Sequence, residues 1–178
     1  TSNPNPPGFD SPPSSGPPSG VQPVAWTQLV QTAANGATLT KVAGCAGCEA
    51  TAVSKQVVAD SDGYFQFTAA ETNKERWVGL MQSGKTVSIR NIDFAFLLGG
   101  AGIVSIRENG AYRAETTYKA GDVFRVAVEE GVVKYYKNNV LVYQSGVAAT
   151  YPLAAAASIL DMDRELGSRT VAEAPPSA

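Results

Sequence analysis

A chain of 178 residues carrying 14 Lys and Arg, 16 Asp and Glu and no histidine, for a net charge of −2, has the length of one domain and enough apolar residues to build a core without a metal. Its cations are scattered and form no stripe able to neutralise phosphates, so nucleic acid is not an expected partner. The apolar runs fall short of the ~20 residues of a membrane span, and the lack of histidine removes Ser-His-Asp and Cys-His catalysis.

Residues 1–23 hold most of the eleven prolines, with Ser, Gly and Asn between them. This segment reads as an extended polyproline arm or linker, because its composition supports neither strand ladder nor helix. The start at Thr1 without a methionine fits either a mature secreted product or a trimmed chain, and low charge, abundant small polar residues and the close cysteine pair favour secretion. From Val24 the pattern changes to short β-prone runs at 24–32, 37–42, 52–58, 63–68, 76–82, 92–99, 102–108 and 111–117. Gly, Asn and Asp turn signals separate them.

Residues 121–153 read as three further strands in succession. Phe124, Val126 and Val128 alternate with Arg125, Ala127 and Glu129, which predicts one buried and one wet face. Glu130-Gly131 and Asn138-Asn139 supply the reversals, the second as a hairpin turn of residues that tolerate positive φ. Leu153 to Leu160 adds another strand. No segment sustains a helical period apart from a short turn at 163–167, so the expected fold is all-β, a two-sheet antiparallel β-sandwich of jelly-roll type with an extended N-terminal arm. The sandwich domain is expected over residues 24–168 and a C-terminal tail over 169–178.

Tyr118, Gly121-Asp122-Val123, the Tyr135-Tyr136-Lys137-Asn138 strand end and Tyr151-Pro152-Leu153 together resemble the second half of a concanavalin A-like jelly roll, in particular its SPRY-like branch. The resemblance spans roughly residues 60–160. Asn139 stands at the family's usual glycine and, like glycine, accepts left-handed φ. These motifs mark turns and core strands. The resemblance implies a binding module for sugars or proteins that uses loops at one end of the sandwich, and it transfers no binding residue.

Four constellations bear on chemistry. Gly79 to Thr86, GLMQSGKT, satisfies the P-loop pattern, but a P-loop must run from a strand into a helix, and here a β-patterned segment follows. A strand ending in a Ser83-Gly84 turn is expected instead. Cys45 and Cys48 form a Cys-x-x-Cys pair. Zinc would need two more ligands from carboxylates, and a reactive thiolate would need a helix N-terminus. A local structural disulfide is expected, with free thiols the alternative in a reducing compartment. Asp161, Asp163 and Glu165 alternate like the acids of some sandwich-fold glycosidases, but Asp161 replaces the expected glutamate, and a solvated turn is the simpler reading. Asp60-Ser61-Asp62-Gly63 lacks the further acids of a calcium loop and reads as a hairpin turn.

Most aromatic residues, namely Trp26, Phe65, Phe67, Trp77, Phe94, Phe96, Phe124 and Tyr135, fall inside strand patterns and are expected in the core. Tyr112, beside the Asn109-Gly110 turn and followed by Arg113, is the expected exposed aromatic and, with Arg113, the candidate binding pair. Nothing in the sequence calls for a cofactor or a metal. The leading expectation is a non-catalytic extracellular structural or adhesive subunit, assembling with itself, as a filament or closed oligomer, through residues 1–23. The alternative is a carbohydrate-binding, lectin-like module of a larger secreted protein, with glycans as partners.

Overall fold

The computed structural model describes residues 23–45 and 47–160. Thirteen strands follow in order: β1 (Trp26–Val30), β2 (Thr32–Asn35), β3 (Thr38–Lys41), β4 (Ala50–Val58), β5 (Gly63–Thr68), β6 (Arg76–Gln82), β7 (Phe94–Leu98), β8 (Ile103–Glu108), β9 (Ala111–Thr117), β10 (Val123–Glu129), β11 (Val132–Lys137), β12 (Val140–Gln144) and β13 (Leu153–Ile159). The expected run at 24–32 divides into β1 and β2 at Gln31, whose φ of 58° interrupts an extended backbone, while Gln28, at φ 51°, lies within β1 where its pairing with β4 shifts register. The arm and the carboxylates Asp161, Asp163 and Glu165 lie outside the described residues, apart from Pro23.

A seven-stranded antiparallel sheet in the order β1-β4-β13-β6-β7-β8-β9 packs on a four-stranded one in the order β12-β11-β10-β5, and β2 and β3 form a separate hairpin. Asn109-Gly110, Glu130-Gly131 and Asn138-Asn139 each place two successive residues at positive φ, the geometry that lets a two-residue turn follow the strand twist. Period-two alternation sends Phe65 and Phe67, Phe94 and Phe96, Val104 and Ile106, Phe124 and Val126, and Val133 and Tyr135 into the space between the sheets. Their rings are in contact: Phe67 stacks on Phe124 at 5.5 Å, and Phe96 meets Phe124 at 4.9 Å and Tyr135 at 5.4 Å. Strand β13, Leu-Ala-Ala-Ala-Ala-Ser-Ile, runs through the middle of the larger sheet and is buried throughout, so both its faces are covered and its alternation is lost.

Two expectations are corrected. The second face of β10 is not wet: Arg125, Ala127 and Glu129 are all buried there. The Arg125 guanidinium lies 5.7 Å from the Tyr64 ring and 4.7 Å from that of Tyr136, while Glu129 accepts the Tyr136 hydroxyl at 2.9 Å and pairs with Lys134 at 3.2 Å. Charge alone therefore misreads this face, since these polar groups are buried with partners. Trp77 is buried but lies outside the central core, on the outer face of the larger sheet with Met81, Ala95 and Ala156, under a loop bearing Val87, Ile89 and Ile92.

Candidate functional site

The outer face of the larger sheet beside that loop carries the candidate site. Cross-strand register builds it as two parallel rows. Trp77, Leu97, Ser105 and Glu115 align across β6, β7, β8 and β9, and Gly79, Ala95, Arg107 and Tyr112 align beside them. Gly79 and Ala95 are small, which leaves the Arg107 side chain room to lie over the sheet toward Trp77. Its guanidinium carbon sits 5.9 Å from the Trp77 ring and 5.4 Å from the Tyr112 ring, and its Nε donates to Ser105 Oγ at 3.2 Å. Aromatic faces and a hydroxyl thus fix the orientation of a delocalised cation.

Tyr112 is 52% exposed, as the sequence leads one to expect. Its hydroxyl donates to Glu115 Oε1 at 3.4 Å. Its pKa is raised, first by local desolvation and then by the Glu115 charge and hydrogen bond. Arg113 is the extra residue of a bulge where the β8–β9 register shifts between Ile106 and Arg107, and a bulge re-aims the side chain at that position. Its Nε meets Glu108 Oε1 at 3.0 Å, and Glu108 is buried with its other oxygen on the Tyr135 hydroxyl at 2.9 Å. The structure brings Tyr112 together with Arg107, Glu115, Ser105 and Trp77, and it pairs Arg113 with a core carboxylate.

Around the corner, between the sheet edges β9 and β12, a cleft of about 470 Å³ is lined by Glu115 and Thr116 on one wall and Lys137, Asn138 and Val140 to Val142 on the other. Its polar groups are largely engaged: Lys137 Nζ donates to Thr117 O at 2.6 Å, and Asn138 accepts from Val123 N at 2.8 Å and donates to Asp122 at 3.0 Å.

Cys45 and Cys48 form a disulfide. Lys41, fully buried, donates from Nζ to the carbonyls of Cys45 at 2.6 Å, Cys48 at 2.5 Å and Leu160 at 2.7 Å. The bridge therefore belongs to a loop closed around a buried ammonium. Residues 79–82 end strand β6, the Ser83-Gly84 turn follows, and Lys85 pairs with Asp93 at 3.0 Å. Asp62 accepts from Glu130 N at 2.8 Å, so this aspartate ties the β4–β5 turn to the β10–β11 turn. Among the described residues, no group of three or more His, Cys, Asp or Glu side chains is placed to hold a metal, and no helix is long and apolar enough to cross a membrane.

Sequence reasoning missed Arg107, Ser105, Glu115 and the part played by Trp77. Each lies on the outward phase of its own strand, which alternation reveals, but their convergence depends on the order β6-β7-β8-β9 and on the bulge.

Taken together, the two antiparallel sheets, their strand order and their Phe-rich interlayer have the fold of a concanavalin A-like jelly-roll sandwich, which lectin and SPRY domains share. Its likeness to solved structures spans most of the chain. The metal-free carbohydrate recognition domain of Emp46p superimposes with a TM-score of 0.58 at 14% identity, over 84% of this chain and 86% of that one. The SPRY domain of human HERC1 does so at 0.54 and 14%, over 88% and 96%. The exoplasmic/lumenal domain of VIP36, in a Ca²⁺/Man3GlcNAc-bound form, does so at 0.56 and 9%, over 88% and 85%. At such identities the likeness is one of fold. No protein-family model and no curated protein sequence matches the chain.

Proposed function

We propose that this chain is a non-catalytic carbohydrate-binding domain of an extracellular or lumenal protein, and that it takes its sugar on the Tyr112 platform. The observation that carries the reading is a half-exposed aromatic ring held against a cation, with polar groups at its edge. Tyr112 rests on Arg107 and reaches Glu115. A sugar offers an apolar C–H face and equatorial hydroxyls, so it stacks on such a ring while its hydroxyls find the flanking carboxylate and guanidinium. The carbohydrate recognition domain of Emp46p and the Man3GlcNAc-bound VIP36 domain share the fold, and the disulfide suits an oxidising compartment. The test is a glycan array probed with the full chain. Selective binding that weakens at least about tenfold in Tyr112→Ala supports the platform. Absence of binding to every glycan overturns it.

A second reading, the self-assembling structural subunit, draws on strand β12. This sheet edge carries no charge and leaves Val140 and Leu141 66% and 49% exposed, whereas open edges that stay monomeric are commonly charged or capped. Light scattering of the full chain beside a version lacking residues 1–23 tests it. Oligomers lost on truncation support assembly through the arm, and monomers in both samples exclude it.

A further inference from the structure

We propose that the sugar recognised on this face is an acidic one, whose carboxylate is gripped by Arg107; this deepens, and rests on, the carbohydrate-binding reading. Arg107 is a cation without an ion pair among the described residues. Arg107 spends its Nε on a neutral hydroxyl, Ser105 Oγ, and its planar group is steadied by the Trp77 and Tyr112 rings. Among the described residues its two terminal nitrogens have no carboxylate within ion-pair distance and no hydrogen-bond acceptor. A guanidinium whose stem and ring contacts are fixed, and whose two-pronged end is unspent, is pre-organised for a bidentate carboxylate.

The surroundings point the same way. Arg90 lies against the Asn109-Gly110 turn that leads into Tyr112: a Cβ added to Gly110 would stand 3.8 Å from its Cα and 4.0 Å from its Cγ. Arg90 has no ion pair among the described residues either. Arg113, by contrast, is neutralised by Glu108. Arg107 and Arg90 are thus the cations of this side without an ion pair among the described residues, while its carboxylates are engaged elsewhere, Glu75 accepting from Trp77 Nε1 at 3.2 Å and Glu115 from the Tyr112 hydroxyl. Glu115, hydrogen-bonded to the tyrosine hydroxyl, sets the opposite polarity beyond the ring. It repels an anion there and accepts from sugar hydroxyls instead. A ring stacked on Tyr112 would thus be oriented with its carboxylate toward Arg107 and its hydroxyls toward Glu115.

The experiment is an array carrying neutral, uronic-acid, sialic-acid and sulfated oligosaccharides, followed by titration of the best carboxylated ligand and of its methyl ester. Wild type, Arg107→Gln, Arg107→Lys and Tyr112→Ala are compared, with thermal melting to check that each is folded. The expected result is a preference for carboxylated glycans, a loss of at least about tenfold on esterification, a similar loss in Arg107→Gln, and partial retention in Arg107→Lys, which keeps the charge but not the fork. Equal binding of acid and ester, a preference for sulfated glycans, or undiminished binding by folded Arg107→Gln overturns the acidic-sugar assignment and leaves the carbohydrate reading standing. Equal binding of poly-glutamate also overturns it, since charge alone would then suffice. Binding to no glycan at all removes both.

Discussion

The hydroxyl of Tyr135 donates to Glu108 Oε2 across 2.9 Å, joining β11 of the smaller sheet to β8 of the larger one through the interior. Glu108 is held on its other oxygen by Arg113 at the rim, so one carboxylate links core, sheet edge and solvent. Glu108→Ala removes the acceptor for a buried phenol and the partner of Arg113. The expected cost is about 2–4 kcal/mol, read from the urea unfolding midpoint, and Arg113→Ala, at a partly exposed position, should cost much less.

The Phe cluster is the mechanical centre. Phe96 touches Phe67, Phe124 and Tyr135 at 4.9 to 6.1 Å and has no exposed surface. Phe96→Ala should destabilise the domain by about 3–5 kcal/mol, through lost burial and the cavity left behind. Chemical denaturation measures this directly.

Gly79 illustrates a different constraint. A Cβ there would fall 1.9 Å from the Phe94 carbonyl oxygen, so β6 and β7 approach closely where Gly79 sits. Gly79→Ala should cost about 3 kcal/mol by forcing the strands apart, and amide exchange in β6 and β7 should accelerate. Were the glycine needed for phosphate binding instead, the variant would fold normally.

Lys41 anchors the disulfide loop to the end of β13. Lys41→Met leaves the Cys48 carbonyl without its donor and removes one donor from those of Cys45 and Leu160, for an expected loss of about 2–3 kcal/mol. Because the loop residues supply two of the three acceptors, the effects of Lys41→Met and of the Cys45→Ser, Cys48→Ser pair should be non-additive in a double-mutant cycle of melting curves.

Stability should fall at both pH extremes. Burial alone would raise the pKa of Asp122, but hydrogen bonds from Asn138 and from the backbone and ammonium of Lys119 outweigh it, and the pKa lies below the ordinary value. Its contribution is therefore present above about pH 4 and is lost as pH falls through the lower, folded-state pKa. Asp122→Asn should flatten that acid limb. Tyr136 runs the other way: burial first, then the hydrogen bond and charge of Glu129, push its pKa up to about 12. Tyr135 is raised as well, by burial and then by Glu108. Both favour folding below about pH 10, and that contribution is lost as pH rises through the higher folded-state values. Phenolate absorbance should show Tyr135 and Tyr136 ionising at higher pH in the folded chain than in the urea-unfolded one.

Much of this architecture is legible in the chain itself. The phase of Phe124, Val126 and Val128, and the pairs Glu130-Gly131 and Asn138-Asn139, locate three strands and two turns, because side-chain period and tolerance of positive φ are local properties. The exposed Tyr112 beside its turn is legible for the same reason. The surroundings of Tyr112 are not: Arg107 is five residues away and Trp77, which meets the same guanidinium, thirty-five, and only the pairing of β6 through β9, with its bulge at Arg113, gathers both rings on Arg107. Nor does local pattern show that Arg125 is buried between two tyrosines or that Lys41 is enclosed by three carbonyls. Strand phase and turns follow from each residue's own stereochemistry and solubility. Register, burial of charge and the convergence of a binding face follow from contacts between distant segments, and those exist only once the two sheets have closed on each other.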